Sequence, residues 1–80
     1  MPHVIVKLYP GRSDAQKREL SEAIARAVMD SVGSAERSIS VSVEDVSPDD
    51  WQARVYEPEI AGRPDILFKK PGYGRLAEKS

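Results

Sequence analysis

The chain has 80 residues, which predicts one domain, spanning residues 1–80, with a thin hydrophobic core. Its formal net charge is −1, and no cationic stripe is present to neutralise phosphates, so we expect no nucleic-acid partner. No apolar run approaches the length of a membrane span, so we expect no membrane partner and a cytoplasmic protein.

Cysteine is absent and histidine occurs once, which excludes disulfide bridges and argues against a zinc site. Small domains usually compensate for a thin core with disulfides, a metal or partner subunits. Association with further copies is the remaining route, so we expect oligomerisation to complete the core.

The first predicted element is a β-strand over residues 3–9, HVIVKLY, which are rich in β-branched and aromatic side chains. A Pro-Gly pair follows it, as is typical of a turn. Side chains alternate between the two faces of a strand, so Pro2 shares a face with Val4 and Val6, and His3 points to the other face. We therefore expect His3 to have a structural role.

A helix is predicted over residues 14–32. Ser13 is a suitable N-cap, Gln16 completes a capping box, and Gly33 provides a C-terminal stop. Helical spacing places one set of apolar side chains on a single stripe: Leu20, Ile24, Ala27 and Val28.

A second strand is predicted over residues 38–46, SISVSVEDV, where polar and apolar side chains alternate. Strand, helix and strand in this order form a βαβ unit with parallel strands, so the fold class is α/β. Residues 52–55 are compatible with a short strand or hairpin arm, and residues 65–70 with a helical turn. Because a single helix covers only one face of the sheet, we expect a partner subunit to cover the other face.

Pro2 follows the initiator methionine, and removal of Met1 would leave a secondary amine as the first atom of the chain. An α-amino group titrates near neutrality, and burial favours its uncharged form, which can act as a general base. Pro2 can equally be an ordinary strand start, where its missing N–H costs little.

Two further residues are candidates for a site. Arg12 follows the first strand, at the sheet edge where parallel folds bind ligands, but it can also be a solvated loop charge. Pro2 and Arg12 are about 20–25 Å apart along one strand, so a site that contains both calls for two subunits. Trp51 can exclude water from a pocket or simply pack in a core or an interface.

The combination of Pro2, the first strand, the Gly11–Lys17 segment and the alternating second strand resembles the 4-oxalocrotonate tautomerase family. The C-terminal part, including the KKPGY sequence at residues 69–73, resembles the longer, dimeric branch of this family, which acts on enols such as phenylenolpyruvate. The resemblance implies a cofactor-free and metal-free enol–keto tautomerase of 2-oxo acids. It also implies that Pro2 is the base, Arg12 the carboxylate ligand and Trp51 an apolar wall.

One position departs from the family pattern. Ser40 stands where the family carries a second arginine in the second strand. The missing arginine implies that a monocarboxylate enol with a hydrophobic or aromatic tail fits better than a dicarboxylate. Arg37 or Arg54 can substitute for the arginine, or Ser40 can contact the substrate through one neutral hydrogen bond, which is weaker than that of an ionised donor.

Two other functions stay open. One is decarboxylation or hydrolytic dehalogenation of a small unsaturated acid, which belongs to the same superfamily. The other is an inactive interaction module, for which retention of Met1 would argue, because an acylated proline nitrogen is not basic.

A homodimer is expected, with a hexamer as the alternative.

Overall fold

The computed structural model describes residues 1–77, which divide into two compact units, Met1–Ser47 and a second that begins at Pro48. The first unit contains strand β1 (His3–Leu8), helix α1 (Asp14–Val32), a 3₁₀ turn (Glu36–Ser38) and strand β2 (Ser40–Asp45). The second contains helix α2 (Pro48–Trp51), a π-helical segment (Gln52–Ala61) and a 3₁₀ turn (Pro64–Ile66).

The first unit is a βαβ unit. Strands β1 and β2 pair in parallel, with a register that runs from His3 opposite Ser40 to Leu8 opposite Asp45. The backbone N–H of Val46 extends the pairing by donating to the Leu8 carbonyl at 2.8 Å. The predicted α/β class with parallel strands is therefore confirmed.

Local signals define helix α1. The Gln16 N–H donates to Ser13 Oγ at 3.1 Å, and the Ser13 N–H donates to Gln16 Oε1 at 2.9 Å, which completes the capping box. At the other end, Gly33 adopts a left-handed φ of 74°, and its N–H donates to the Met29 carbonyl at 3.0 Å. The predicted bounds, residues 14–32, are confirmed.

The face that α1 turns to the sheet is narrower than the predicted stripe. Ile24 and Val28 are half-buried, but Leu20 and Ala27 are exposed. Two strands lie only about 4.8 Å apart, so the sheet is wide enough to cover one line of helical residues. The helix residues that are half-buried are Lys17, Ser21, Ile24, Ala25, Val28 and Met29.

The other face of the sheet is exposed. His3, Ile5, Ser40 and Ser42 lie on this face, and Ile5 is 58% exposed. Parallel sheets are usually covered on both faces, so this open face supports the predicted oligomer, which stays a prediction.

The second unit is helical, and the strand or hairpin predicted for residues 52–55 is wrong. Pro48 stands at the start of α2, where its missing N–H is harmless, and two aspartates follow in the first turn. Pro58 lacks the N–H that an α-helix requires and would clash with the preceding turn. The wider π-helical hydrogen bonding from Gln52 to Ala61 accommodates it. Val55 and Tyr56 form the buried part of this segment.

Across residues 1–77, no helix has the length and apolar character needed to cross a membrane.

Candidate functional site

Pro2 lies immediately before β1 and is half-buried. Its carbonyl accepts the backbone N–H of Ser40 at 3.2 Å, which fixes the residue against the start of β2. Met1 projects from this position and is fully exposed. The structure therefore holds the proline in a defined position and leaves the preceding methionine accessible.

Ser40 makes a second contact with the start of β1. Its hydroxyl oxygen lies 2.6 Å from His3 Nδ1, and the two residues are direct partners in the strand register. The sequence predicted a structural role for His3 and did not connect it with Ser40. Only the register could have shown this pair, because the two residues are 37 positions apart.

Arg12 lies at the opposite end of β1 from Pro2. It is exposed, in the loop that leads from Leu8 to the N-cap of α1, where Gly11 has a φ of 128° that favours glycine. The whole of β1 lies between Pro2 and Arg12, and its six residues span about 20 Å. Within one chain, the structure does not bring Pro2 and Arg12 together.

An ion pair that the sequence did not predict lies at the carboxyl ends of the strands. Lys17 Nζ, in the second turn of α1, lies 3.0 Å from Asp45 Oδ1 at the end of β2. Both side chains are partly exposed, so the pair contributes little to stability. It ties the start of α1 to the edge of the sheet beside the loop that contains Arg12.

Trp51, in the second unit, is half-buried, and its indole Nε1–H donates to the Tyr73 hydroxyl at 2.9 Å. Tyr73 packs against Tyr56, with ring centroids 5.5 Å apart. The Tyr56 hydroxyl accepts the Leu76 N–H at 3.0 Å. These contacts attach the segment around Tyr73 to the helix that carries Trp51, a relationship that the sequence did not reveal.

A charged pair reinforces the same attachment. Arg75 donates a hydrogen bond to Glu57, and its guanidinium lies 5.7 Å from the centre of the Tyr56 ring. The Arg75 hydrogen bond lowers the pKa of the Glu57 carboxyl from its ordinary value, with a smaller contribution from Gln52. Gly74 has a φ of 69°, and a Cβ there would collide with the Tyr56 hydroxyl.

Two clefts of about 440 and 480 Å³ follow the side of α1 that faces β2. They share Ser21 and Glu22, and neither is lined by Pro2, Arg12, Ser40 or Trp51. Among residues 1–77, no group of three or more metal-ligating side chains is placed to hold an ion.

Comparison with known proteins identifies the family. The family model described as Tautomerase enzyme matches residues 2–56. A probable tautomerase from Xylella fastidiosa is 47% identical over 77 residues, covering 96% of this chain and 94% of the relative. Tautomerase PptA from Escherichia coli K12 is 36% identical over 78 residues, covering 96% and 100% of the two chains.

Solved structures agree with the sequence relatives. YwhB, a homologue of 4-oxalocrotonate tautomerase, is 42% identical, with a TM-score of 0.58 over 60% of this chain and 79% of its own. TomN, another such homologue from the tomaymycin biosynthetic pathway, has a TM-score of 0.60 at 32% identity, covering 62% and 77%. The chain therefore belongs to the tautomerase family and is an isomerase with the tautomerase fold.

Proposed function

We propose that this tautomerase interconverts the enol and keto forms of 2-oxo acids, with the nitrogen of Pro2 as the general base. The observation that carries the proposal is the placement of Pro2. It directly follows Met1, it immediately precedes β1, and its carbonyl accepts the Ser40 N–H. Removal of the exposed Met1 would make the Pro2 nitrogen a secondary amine at a fixed position.

The reaction requires only the movement of a proton. The Pro2 nitrogen accepts the proton of the enol hydroxyl, and the electron pair of the O–H bond forms the carbonyl. The carbon–carbon double bond then takes a proton back from the Pro2 nitrogen at carbon. Nothing is oxidised or reduced, so the step calls for no cofactor or metal. A positioned base typically contributes about 10²–10⁴-fold to such a rate.

We propose that Arg12 binds the substrate carboxylate through its guanidinium fork, which matches the two carboxylate oxygens. Arg12 and Pro2 lie at opposite ends of β1, so the two residues of one site come from different subunits. A homodimer with antiparallel subunits provides this arrangement, and the open face of the sheet supports association. A hexamer built from such dimers has the same property.

Trp51 and Ser40 are proposed to set substrate preference. The indole supplies an apolar surface for a hydrophobic or aromatic substrate tail. Ser40 offers a neutral hydroxyl at a position that lacks a cation, which favours a monocarboxylate such as phenylenolpyruvate over a dicarboxylate. The cytoplasmic location predicted from the composition stays a prediction.

The test combines intact-mass spectrometry with an ultraviolet assay of phenylenolpyruvate ketonisation. We expect a mass that lacks the initiator methionine and enzyme-dependent loss of the enol absorbance. A protein that retains Met1 and shows no turnover would contradict the proposal and favour an inactive interaction module. Turnover of a halogenated unsaturated acid without ketonisation would favour the dehalogenase alternative.

A further inference from the structure

The pair formed by His3 and Ser40 suggests a second group that acts beside Pro2. Ser40 holds both residues at the start of β1: its N–H donates to the Pro2 carbonyl at 3.2 Å, and its hydroxyl lies 2.6 Å from His3 Nδ1. The Cα atoms of Pro2 and His3 are about 3.8 Å apart, and the imidazole lies on the same sheet face as Ser40. His3 is exposed within the single chain, on the open sheet face that also carries Ser40.

The contact with Ser40 engages Nδ1 of the imidazole, and which atom donates depends on the tautomer of the ring. When the serine hydroxyl donates to Nδ1, the neutral ring carries its proton on Nε2. When the ring is charged, both nitrogens carry protons and the serine oxygen accepts. In these two states Nε2 presents an N–H group, whereas a neutral ring protonated on Nδ1 donates to Ser40 and leaves Nε2 as an acceptor.

We propose that His3, oriented by Ser40, donates its Nε2–H to the oxygen atom of the substrate that becomes the carbonyl. This inference rests on the proposed function. Negative charge develops on that oxygen when Pro2 removes the enol proton, and a fixed donor stabilises such charge. His3 keeps its own proton throughout, and Pro2 carries out the transfer. In this arrangement Ser40 positions the imidazole and offers its remaining hydrogen-bonding capacity to the substrate.

Two amide substitutions at position 3 distinguish a hydrogen-bond donor to the substrate from a residue that only contacts Ser40. In His3→Gln the terminal amide reaches the position of Nε2, whereas in His3→Asn it reaches that of Nδ1 and can contact only Ser40. We expect His3→Asn to lower kcat on phenylenolpyruvate at least about tenfold, since loss of an oxyanion donor commonly costs that or more. His3→Gln should stay within about threefold of the unmodified protein, because it retains the donor. Any other order, including equal losses, would overturn the assignment.

Substitutions at position 40 test the orientation of the ring. Ser40→Thr retains the hydroxyl and Ser40→Val replaces it with a methyl group of similar shape. We expect the valine variant to lower kcat more than the threonine variant does, by about threefold or more. In the His3→Asn background the valine substitution should have no further effect on kcat. Ser42→Val is the matched control, because Ser42 lies on the same face opposite Ile5. An equal loss in that control would overturn the positioning role.

A spectroscopic measurement separates this inference from the proposed function. The sequence contains one histidine, so ¹⁵N-labelled imidazole gives the signals of His3 alone. We expect a protonated Nε2 in the free protein and a shift of its resonance when phenylpyruvate is titrated. A proton on Nδ1 alone, or unchanged signals at saturating phenylpyruvate, would overturn the role of His3 even in an active enzyme. If the Nε2 resonance shifts with phenylpyruvate but phenylenolpyruvate is not turned over, only the proposed reaction would be contradicted.

Discussion

The indole of Trp51 donates its N–H to the hydroxyl of Tyr73 at 2.9 Å, across 22 positions of sequence. Tyr73 belongs to the KKPGY segment, and it packs on the buried Tyr56. Tyr73 therefore orients the side chain that we propose as the apolar wall of the substrate site. The sequence presented the two aromatic residues as unrelated.

We expect Tyr73→Phe to raise KM for phenylenolpyruvate about three- to tenfold, because it removes one hydrogen bond that orients Trp51. The sequence contains one tryptophan, so its fluorescence reports directly on this environment. The fluorescence emission of Trp51 should differ between Tyr73→Phe and the unmodified protein. Trp51→Phe removes the same hydrogen bond from the other side, so adding Tyr73→Phe to it should have little further effect on KM. Unchanged emission and KM in Tyr73→Phe would contradict this role.

Replacement of the proposed base should have the largest effect on catalysis. Pro2→Ala leaves a primary amine that is differently placed and more flexible. We expect kcat/KM on phenylenolpyruvate to fall at least ~10²-fold. The mass of both proteins must show the same removal of Met1, so that only the amine differs. Activity within a few-fold of the unmodified protein would remove Pro2 from the role of base.

Arg12→Ala should mainly weaken binding of the substrate, because the carboxylate loses its charged hydrogen-bond donors. We expect KM to rise about 10- to 100-fold, in line with hydrogen bonds to charged groups. Arg12→Lys should recover part of the loss, since a point charge lacks the planar fork. Arg26→Ala removes the same charge from an exposed position on α1 and serves as the control. Unchanged KM in Arg12→Ala would exclude it from the site.

The shared site can be tested by mixing subunits. A dimer of one Pro2→Ala chain and one Arg12→Ala chain contains one site with both residues intact and one site with neither. The two variants are dissociated and reassociated, and the mixture is assayed at phenylenolpyruvate far below the KM of Arg12→Ala, where both variants are impaired. This should restore up to a quarter of the unmodified activity, since about half of the randomly paired dimers are mixed. No recovery after confirmed exchange of subunits would indicate that Pro2 and Arg12 act within one chain.

The ion pair between Glu57 and Arg75 should make stability depend on pH. In the folded protein the pKa of the Glu57 carboxyl lies below its ordinary value of 4.5. The ionised carboxylate therefore stabilises the fold fully at pH values above that ordinary pKa. That contribution is lost as the pH falls from this value through the lower folded pKa. Glu57→Gln should therefore show a smaller loss of Tm on acidification than the unmodified protein. Glu19→Gln, which removes the same charge from α1, is the control, and an equal pH dependence in all three proteins would contradict the prediction.

The sequence alone determined the elements that local interactions define. The capping hydrogen bonds of Ser13, Gln16 and Gly33 join residues within four positions of each other, so the sequence predicted the bounds of α1. Alternation of side chains likewise identified β1 and β2, and the spacing of the three elements predicted parallel strands. The placement of Pro2 and Arg12 at opposite ends of β1 followed from the length of that strand.

The tertiary structure decided what depends on contacts between distant residues. The register that sets His3 opposite Ser40 arises from pairing of strands separated by a 19-residue helix, which no local pattern encodes. The helical form of residues 52–55 depends on Pro48 at the helix start and on the widened turns that accommodate Pro58. The short run of residues 52–55 is compatible with either strand or helix, and the burial of Val55 and Tyr56 accompanies the helix.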